Sequence, residues 1–283
     1  MAELSRYGHR LRDLSAGSWT ASYENAARHR RHLDALVVVG GDGMVHLGAQ
    51  VCAERRLPLG IIAAGSGNDV ASVLGLPMLD IPAAARAVHE GLEGRSVTMD
   101  AGKLTGKSIE HPNKPRYFLA VLSAGIDAAV AARAQSIQFP RGPLKYKYAA
   151  MREIPLFKPY GASVTIDGST HIRQCTLVAV ANTTIFGGGL MISPNSNVFD
   201  GKLEVVLAEA MSKRHMLKLL PKLNDGSHLD DPTISVVQAT SVDIVHHDVG
   251  ALLPAAFADG ELVGSQPLSV KVAPGALRVL GAG

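Results

Sequence analysis

An α/β domain followed by a β-rich sandwich domain is the fold class this sequence predicts, and three observations carry it. Two strand–turn–helix patterns follow one another between Leu36 and Leu74, each with glycines in its turn. Beyond about residue 100 the chain changes to short apolar or alternating runs separated by Gly, Pro and Asp/Asn clusters. A length of 283 residues leaves room for two cores of ordinary size. The expected division is 1–99 for the α/β part and 100–273 for the sandwich, with 274–283 free to return to the first part.

Composition narrows the partners. Hydrophobic residues make up 47% of the chain and charged residues 19%, the balance of a globular protein rather than a disordered one. The formal charge of +3 suits an anionic ligand or an anionic membrane surface. Aromatic residues are few and do not interleave with basic ones, so no nucleic-acid partner is expected. Cys52 and Cys175 lie far apart in apolar-leaning segments, which predicts reduced core residues and a reducing compartment. Met1 to Arg12 is polar and charged, unlike a signal peptide, and no window approaches the roughly 20 apolar residues of a membrane span. The expected location is therefore cytoplasmic, with any membrane contact peripheral at the inner face.

The elements follow in order. Trp19 to His32 reads as a helix with Ser18 or Thr20 as its N-cap and a basic end at Arg28, Arg30, Arg31 and His32. The strand Leu36 to Val39 runs into the turn Gly40-Gly41-Asp42-Gly43, and a helix from Met44 to Ala53 opens at those glycines. A second strand, Leu59 to Ala63, leads through Gly65-Ser66-Gly67 into a helix from Asn68 or Asp69 to Leu74. Two parallel units of this kind place both turns at one carboxyl edge, where helix N-termini bind anions. Ile81 to Leu92 is a further helix with Pro82 tolerated at its start.

In the second half, strands are expected at Val97 to Leu104, Arg116 to Ser123, Ala162 to Ile166, Cys175 to Asn182 and Leu203 to Ala208. Others follow at Ile234 to Val237, Val242 to Val245, Ala256 to Phe257, Leu268 to Val272 and Leu277 to Leu280. Helical insertions are expected at Ala128 to Ala134, Lys145 to Arg152 and Lys213 to Leu220.

The first turn lacks both the Walker A spacing and the dinucleotide spacing. Its glycines let backbone N–H groups approach phosphate oxygens, and its single carboxylate stands where a metal-bound water or a hydroxyl could be held. A tight turn in which Asp42 caps the next helix is the simpler alternative. Asp259-Gly260 is likewise an ordinary hairpin turn as well as the neighbour of a carboxylate at Glu261. His246 and His247 beside Asp248 are poor metal candidates, because adjacent strand residues point to opposite faces.

Taken together, Gly40-Gly41-Asp42-Gly43 and Gly65-Ser66-Gly67-Asn68-Asp69-Val70-Ala71 resemble the diacylglycerol kinase-like lipid kinase family, which includes sphingosine and ceramide kinases. That family is distantly similar to phosphofructokinases and NAD kinases. The resemblance continues through Leu122-Ser123-Ala124-Gly125-Ile126-Asp127, Asn182 with Gly187-Gly188-Gly189 and Pro194, Phe199-Asp200-Gly201-Lys202-Leu203, and Asp259-Gly260-Glu261. It covers the chain from about Asp34 to the C-terminus.

The resemblance implies a phosphofructokinase/NAD kinase-like α/β nucleotide-binding domain, and an ATP site lined by Gly40, Gly41, Asp42, Gly43, Met44, Val45 and His46. Gly65, Ser66, Asn68 and Asp69 join it from the second loop. Glu261 is implied as the proton acceptor from a lipid hydroxyl, with Asp42 organising phosphate, metal and water beside it. Asp127 is implied as a substrate contact. Mg²⁺ is implied at Asp200 with the carbonyls of Asn197 and Lys202, an oxygen set suited to a hard cation.

The implied activity is ATP-dependent phosphorylation of a lipid hydroxyl, with diacylglycerol as the acceptor and phosphatidic acid as the product. A lipid substrate and a homodimer are the partners open to it. A kinase of a soluble hydroxyl substrate and a non-catalytic nucleotide- or lipid-binding member stand as alternatives. Three positions depart from the family pattern: Met44 replaces threonine, Leu47 replaces glutamate, and Ala64 replaces proline. The family's opening strand, with its Asn-Pro…Gly turn, has no counterpart before Ser18, so a nucleotide site short of that contribution is expected.

Overall fold

The computed structural model describes residues 1–106, 116–139 and 143–283. Its first layer grows from the β-branched run Leu36–Gly40, whose Leu36 and Val38 are buried, paired in parallel with Leu59–Ala63. The register runs from Leu36 opposite Leu59 to Gly40 opposite Ala63, so both strands end level and both glycine turns leave the same edge. Helix Asp42–Cys52 buries Val45, Leu47, Ala49, Val51 and Cys52 against these strands. Helix Ile81–Leu92 covers the other face, started by Asp80, whose carboxylate accepts the Ala83 N–H at 3.0 Å. The expected helix after Ser18 is Trp19–His29 with a 3₁₀ turn at Arg30–His32, and Ser18 caps it through the Ala21 N–H at 3.2 Å.

The last strand joins the two halves. Leu268–Val272 and Leu277–Leu280, expected as separate runs, form one strand, Leu268–Leu280, antiparallel to Ser96–Gly106 along nearly its whole length. Its beginning pairs with Ser241–His246 in the β-rich half, and at its end Val279 pairs in parallel with Leu59. Between them the register shifts at Pro274 and Gly275, where φ reaches +56° at the glycine. Asp100, only 3% exposed, holds the bend: its two oxygens accept the N–H groups of Gly275 and Gly201, each at 2.7 Å.

Beyond the bend, Tyr160–Ile166, Ser169–Ala181, Val121–Gly125, Ala256–Ala258 and Glu261–Gly264 continue the network of paired strands. Leu203–Glu209 and Ile234–Ala239 branch from Ser169–Ala181. Their inward residues, among them Phe118, Leu122, Val164, Val178, Val205 and Ile244, make a second core distinct from that of the parallel strands. The run expected as one strand from Arg116 to Ser123 divides into Arg116–Phe118 and Val121–Gly125. The N–H groups of Leu119 and Ala120 donate instead to the Asp259 carboxylate, at 3.0 and 2.8 Å, which takes these two residues out of the ladder. Cys52 and Cys175 are free and buried, and burial pushes their thiols up to about 12 and about 11. Among the described residues no helix is long and apolar enough to cross a membrane.

Replacing Asp100 by alanine leaves two N–H groups of the bend without their carboxylate and is expected to cost about 3 kcal/mol. Urea unfolding at neutral pH measures this, and a loss below about 1 kcal/mol would show that the bend does not need the anchor.

Candidate active site

The two glycine turns are bound to each other before any ligand is considered. Gly40 accepts the Ala64 N–H at 2.9 Å, and the backbones pack so closely that a Cβ on Gly65 would stand 2.3 Å from Gly41 Cα. Asp42 supplies the strongest tie. Its Oδ2 accepts the Asn68 N–H at 2.9 Å and its Oδ1 the Asp69 N–H at 2.8 Å. The carboxylate therefore crosses to the second loop in addition to standing at the start of its own helix, whose N-cap is Gly41.

Asn68, held at φ +62°, folds its amide back on the loop: Oδ1 accepts the Gly65 N–H at 3.0 Å and Nδ2 donates to the Gly65 carbonyl at 2.8 Å. Asp69 then reaches the third glycine turn, accepting the N–H groups of Gly188 at 3.1 Å and Gly189 at 2.9 Å. Three glycine turns from distant parts of the chain are thus fixed by two carboxylates. Burial pushes both carboxyls upward and the N–H bonds pull them back, while Asp42 and Asp259 each add a further upward push on Asp69.

Glu261 enters the same place from the β-rich half. A Cβ on Gly43 would stand 2.9 Å from Glu261 Oε1, so the carboxylate lies directly against the first loop. The turn before it is left-handed at Asp259 (φ +53°) and Gly260 (φ +81°). Asp259 is anchored by the Leu119 and Ala120 N–H groups and by His46, whose Nδ1 lies 2.9 Å from Asp259 Oδ2. A carboxylate acceptor makes Nδ1 the donor. His46 sits on the helix that begins at Asp42, so this buried pair joins the first loop's helix to the turn that aims Glu261. One helical turn on, Gln50 brackets the Tyr117 backbone, donating to its carbonyl at 2.6 Å and accepting its N–H at 3.1 Å.

Of the residues expected to line a nucleotide, Gly40, Gly41, Asp42, Gly43 and Met44 stand partly exposed at the loop, and Ser66 is exposed at the tip of the second. Val45 and His46 face elsewhere: Val45 is part of the first core, and His46 is 1% exposed in the domain junction. Asn182 is also interior, donating to the carbonyls of Leu119 at 2.8 Å and Asp100 at 3.1 Å. Asp127 stands apart, in the first turn of helix Ile126–Ser136, with Ser123 and the Ala128 N–H as its neighbours. Its Oδ1 is buried without a partner, and burial pushes the carboxyl up to about 6.

The Asp200 turn is exposed and folds on itself, Asp200 Oδ1 accepting the Lys202 N–H at 3.0 Å and Asn197 Oδ1 the Phe199 N–H at 3.1 Å. Among the described residues no three His, Cys, Asp or Glu side chains gather to hold a metal. The donors at Asp200, Asn197 and Lys202 fit a hard cation by chemistry alone, as one carboxylate and carbonyl oxygens completed by water.

Sequence reasoning missed Trp19 and Arg116. Trp19 Nε1 donates to the Gly43 carbonyl at 3.4 Å, and the buried Arg116 guanidinium lies 5.9 Å from the Trp19 ring centre. With Thr20, Glu261 and Leu262 they line a recess of about 80 Å³ beside the candidate base. Nothing in local spacing marks these residues, since their meeting depends on three separate segments.

Gly43→Ala replaces a helical glycine, so stability should hold or rise by up to about 1 kcal/mol, while the new methyl displaces the Glu261 carboxylate. Unchanged unfolding together with at least a tenfold loss of turnover is the expected pair of measurements; unchanged turnover would separate Glu261 from the reaction. For Asp127, the protonated form favours the folded state, an advantage complete below 3.8 and gone once pH has risen through about 6. Asp127→Asn should therefore stabilise the protein by up to about 3 kcal/mol at pH 8 and by little at pH 4, read from urea unfolding across that range.

Comparison with known proteins bears on the family and the fold. Residues 8–104 match the model of the diacylglycerol kinase catalytic domain, and residues 120–281 match the YegS C-terminal NAD kinase beta sandwich-like domain. A diacylglycerol kinase of Mycobacterium tuberculosis (strain H37Rv) is 34% identical over 257 residues, covering 90% of this chain and 79% of the relative. The Bacillus subtilis diacylglycerol kinase is 24% identical over 254 residues, with coverage of 86% and 79%. A diacylglycerol kinase structure from Bacillus anthracis superposes with a TM-score of 0.64 at 19% identity, covering 94% of this chain and 82% of that one. Yeast NADH kinase shares the fold more distantly, with a TM-score of 0.51 at 12% identity, 93% of this chain and 64% of that one. The chain belongs to the diacylglycerol kinase-like lipid kinases, phosphotransferases built from an α/β domain and a β-sandwich domain, a family whose chemistry implies the use of ATP.

Proposed function

We infer that this chain transfers the γ-phosphoryl group of ATP to the free hydroxyl of a diacylglycerol, giving phosphatidic acid. The observation that carries the reading is the apposition of Glu261 Oε1 and Gly43, which sets a carboxylate base against a loop with the glycine content of a phosphate cradle. The helix Asp42–Cys52 starts at the first loop: its Met44 N–H is taken by the Gly41 carbonyl at 3.0 Å, and the N–H groups before it lie at the helix N-terminus, where anionic oxygens are favoured. In the reaction, Glu261 takes the proton from the acceptor hydroxyl as its oxygen bonds to the γ-phosphorus. The bond from that phosphorus to the β-γ bridging oxygen breaks, and ADP leaves.

Asp42 and Asp69 serve as the frame. Each carboxylate already accepts backbone N–H groups, so their part is to hold the three glycine turns at fixed separation rather than to move a proton. Asp200 with the Asn197 and Lys202 carbonyls would hold Mg²⁺, which when bound brings positive charge to the Asp200 turn. Asp100 binds that turn to the interior through the Gly201 N–H.

One observation favours a second reading. The recess beside Glu261 is small and carries Arg116 and Thr20, a lining that suits the polar end of an acceptor and has no room for an acyl chain. A soluble hydroxyl compound would satisfy it as well as a lipid headgroup.

Incubation with γ-labelled ATP and Mg²⁺ decides between them. With diacylglycerol in mixed micelles, label is expected in phosphatidic acid, and Glu261→Gln should lower turnover by about 10²–10⁴-fold with unfolding unchanged. Label in soluble polyols alone would move the assignment to the second reading, and no labelled product of either kind would contradict both.

A further inference from the structure

We propose that His46 is a positioning residue for Glu261: its Nδ1–H fixes the Asp259 carboxylate, and Gln50 in turn fixes which imidazole nitrogen carries that hydrogen. The inference rests on the lipid-kinase reading and gives a part in it to an imidazole buried in the domain junction.

Glu261 needs support from outside its own strand. It opens Glu261–Gly264, which among the described residues has one ladder partner, Ala256–Ala258, and stands at the end of the paired network. Asp259 and Gly260 make the two-residue turn between these strands, with φ +53° and +81°, and the geometry of such a turn sets how the returning strand begins. The Asp259 carboxylate is therefore the handle on Glu261. Three donors hold it. The Leu119 and Ala120 N–H groups come from the β-rich half itself, whereas His46 Nδ1, 2.9 Å from Oδ2, comes from the helix that carries Gly43. Of the three, the imidazole is the one that ties the turn to the half of the molecule Glu261 must meet.

The helix presents the imidazole as one of a row. Asp42, His46 and Gln50 recur at spacing four, so they lie along one face, and each bonds a different segment: Asn68 with Asp69, Asp259, and Tyr117. Tyr117 decides which way the Gln50 amide points, because its N–H takes Oε1 and its carbonyl takes Nε2. Gln50 Nε2 also lies 3.4 Å from His46 Nε2 and has a second N–H to offer it. A hydrogen on His46 Nε2 would meet that N–H head on, at a residue 1% exposed to water. The imidazole that fits has its lone pair on Nε2 and its hydrogen on Nδ1, aimed at Asp259. A backbone amide at Tyr117 thus sets, through two side chains, the donor that holds the turn before Glu261.

Asparagine and glutamine separate the two ring nitrogens. The Asn side-chain nitrogen falls where Nδ1 stands, and the longer Gln carries its amide to the level of Nε2. In transfer from γ-labelled ATP to diacylglycerol, His46→Asn is expected to keep kcat within about threefold of native, and His46→Gln to lose about tenfold or more with the KM for ATP changed by less than about twofold. Urea unfolding of the two variants should be similar, since each removes one of the imidazole's two contacts. Heteronuclear NMR of the imidazole nitrogens, with the His46 signals identified by their absence in His46→Asn, should show hydrogen on Nδ1 and none on Nε2. Native turnover in His46→Gln, equal losses in the two variants, or hydrogen on Nε2 in the native protein overturns the proposal and leaves the kinase reading standing. No turnover by the native protein on any acceptor overturns the kinase reading and the positioning role together.

Discussion

Both oxygens of Asp42 are engaged by amide hydrogens of the second glycine loop, and the geometry of the edge where the glycine turns meet depends on that pair of bonds. Glycine loops have little to hold them in one conformation, because the residue that lets backbones approach closely also loses the most freedom on ordering. Here the freedom is removed by carboxylates acting on main-chain N–H groups. Asp42 fixes the start of helix Asp69–Val73, and Asp69 at its first position fixes the turn at Gly188 and Gly189. The arrangement is sequential, so that the third turn is placed only if the first two are.

The same device joins the two cores. Asp259 and Asp100 each bind two backbone N–H groups from segments far away in sequence, and Asn182 links the carbonyls between them. These side chains form a buried polar seam between apolar clusters, in which both carboxylates and the Asn182 Nδ2 meet main-chain partners with definite positions. An apolar seam could slide; this one has a single register. That is the property needed where Glu261 from the β-rich half must meet Gly43 from the α/β half.

Much of this was legible in the sequence, and the limits have physical reasons. The β-branched run before Gly40 and the repeat of strand, turn and helix gave the parallel layer and placed both loops at one edge, because periodicity and glycine position are local signals. The end of the chain was open to either half until the Pro274–Gly275 bend showed one strand serving both. The break at Leu119 and Ala120 could not be read from Arg116 to Ser123, an unbroken strand-like run, since its cause is a carboxylate 140 residues distant from Leu119. His46 was placed with the nucleotide by motif resemblance, yet its partner is Asp259, 213 residues away, and the pair faces inward. Trp19 and Arg116 carry no motif at all. Resemblance pointed to the loops and to Glu261, whereas the contacts that position them became visible only with the chain folded.

Residue-resolved amide hydrogen exchange in the native protein and in Asp42→Ala tests the cross-tie most directly. The expected result is joint loss of protection at Asn68, Asp69, Gly188 and Gly189, with protection retained in the strands Ser169–Ala181 and Ser241–His246. Native protection at Gly188 and Gly189 in the variant would contradict the sequential frame and leave Asp42 as a carboxylate with a local role only.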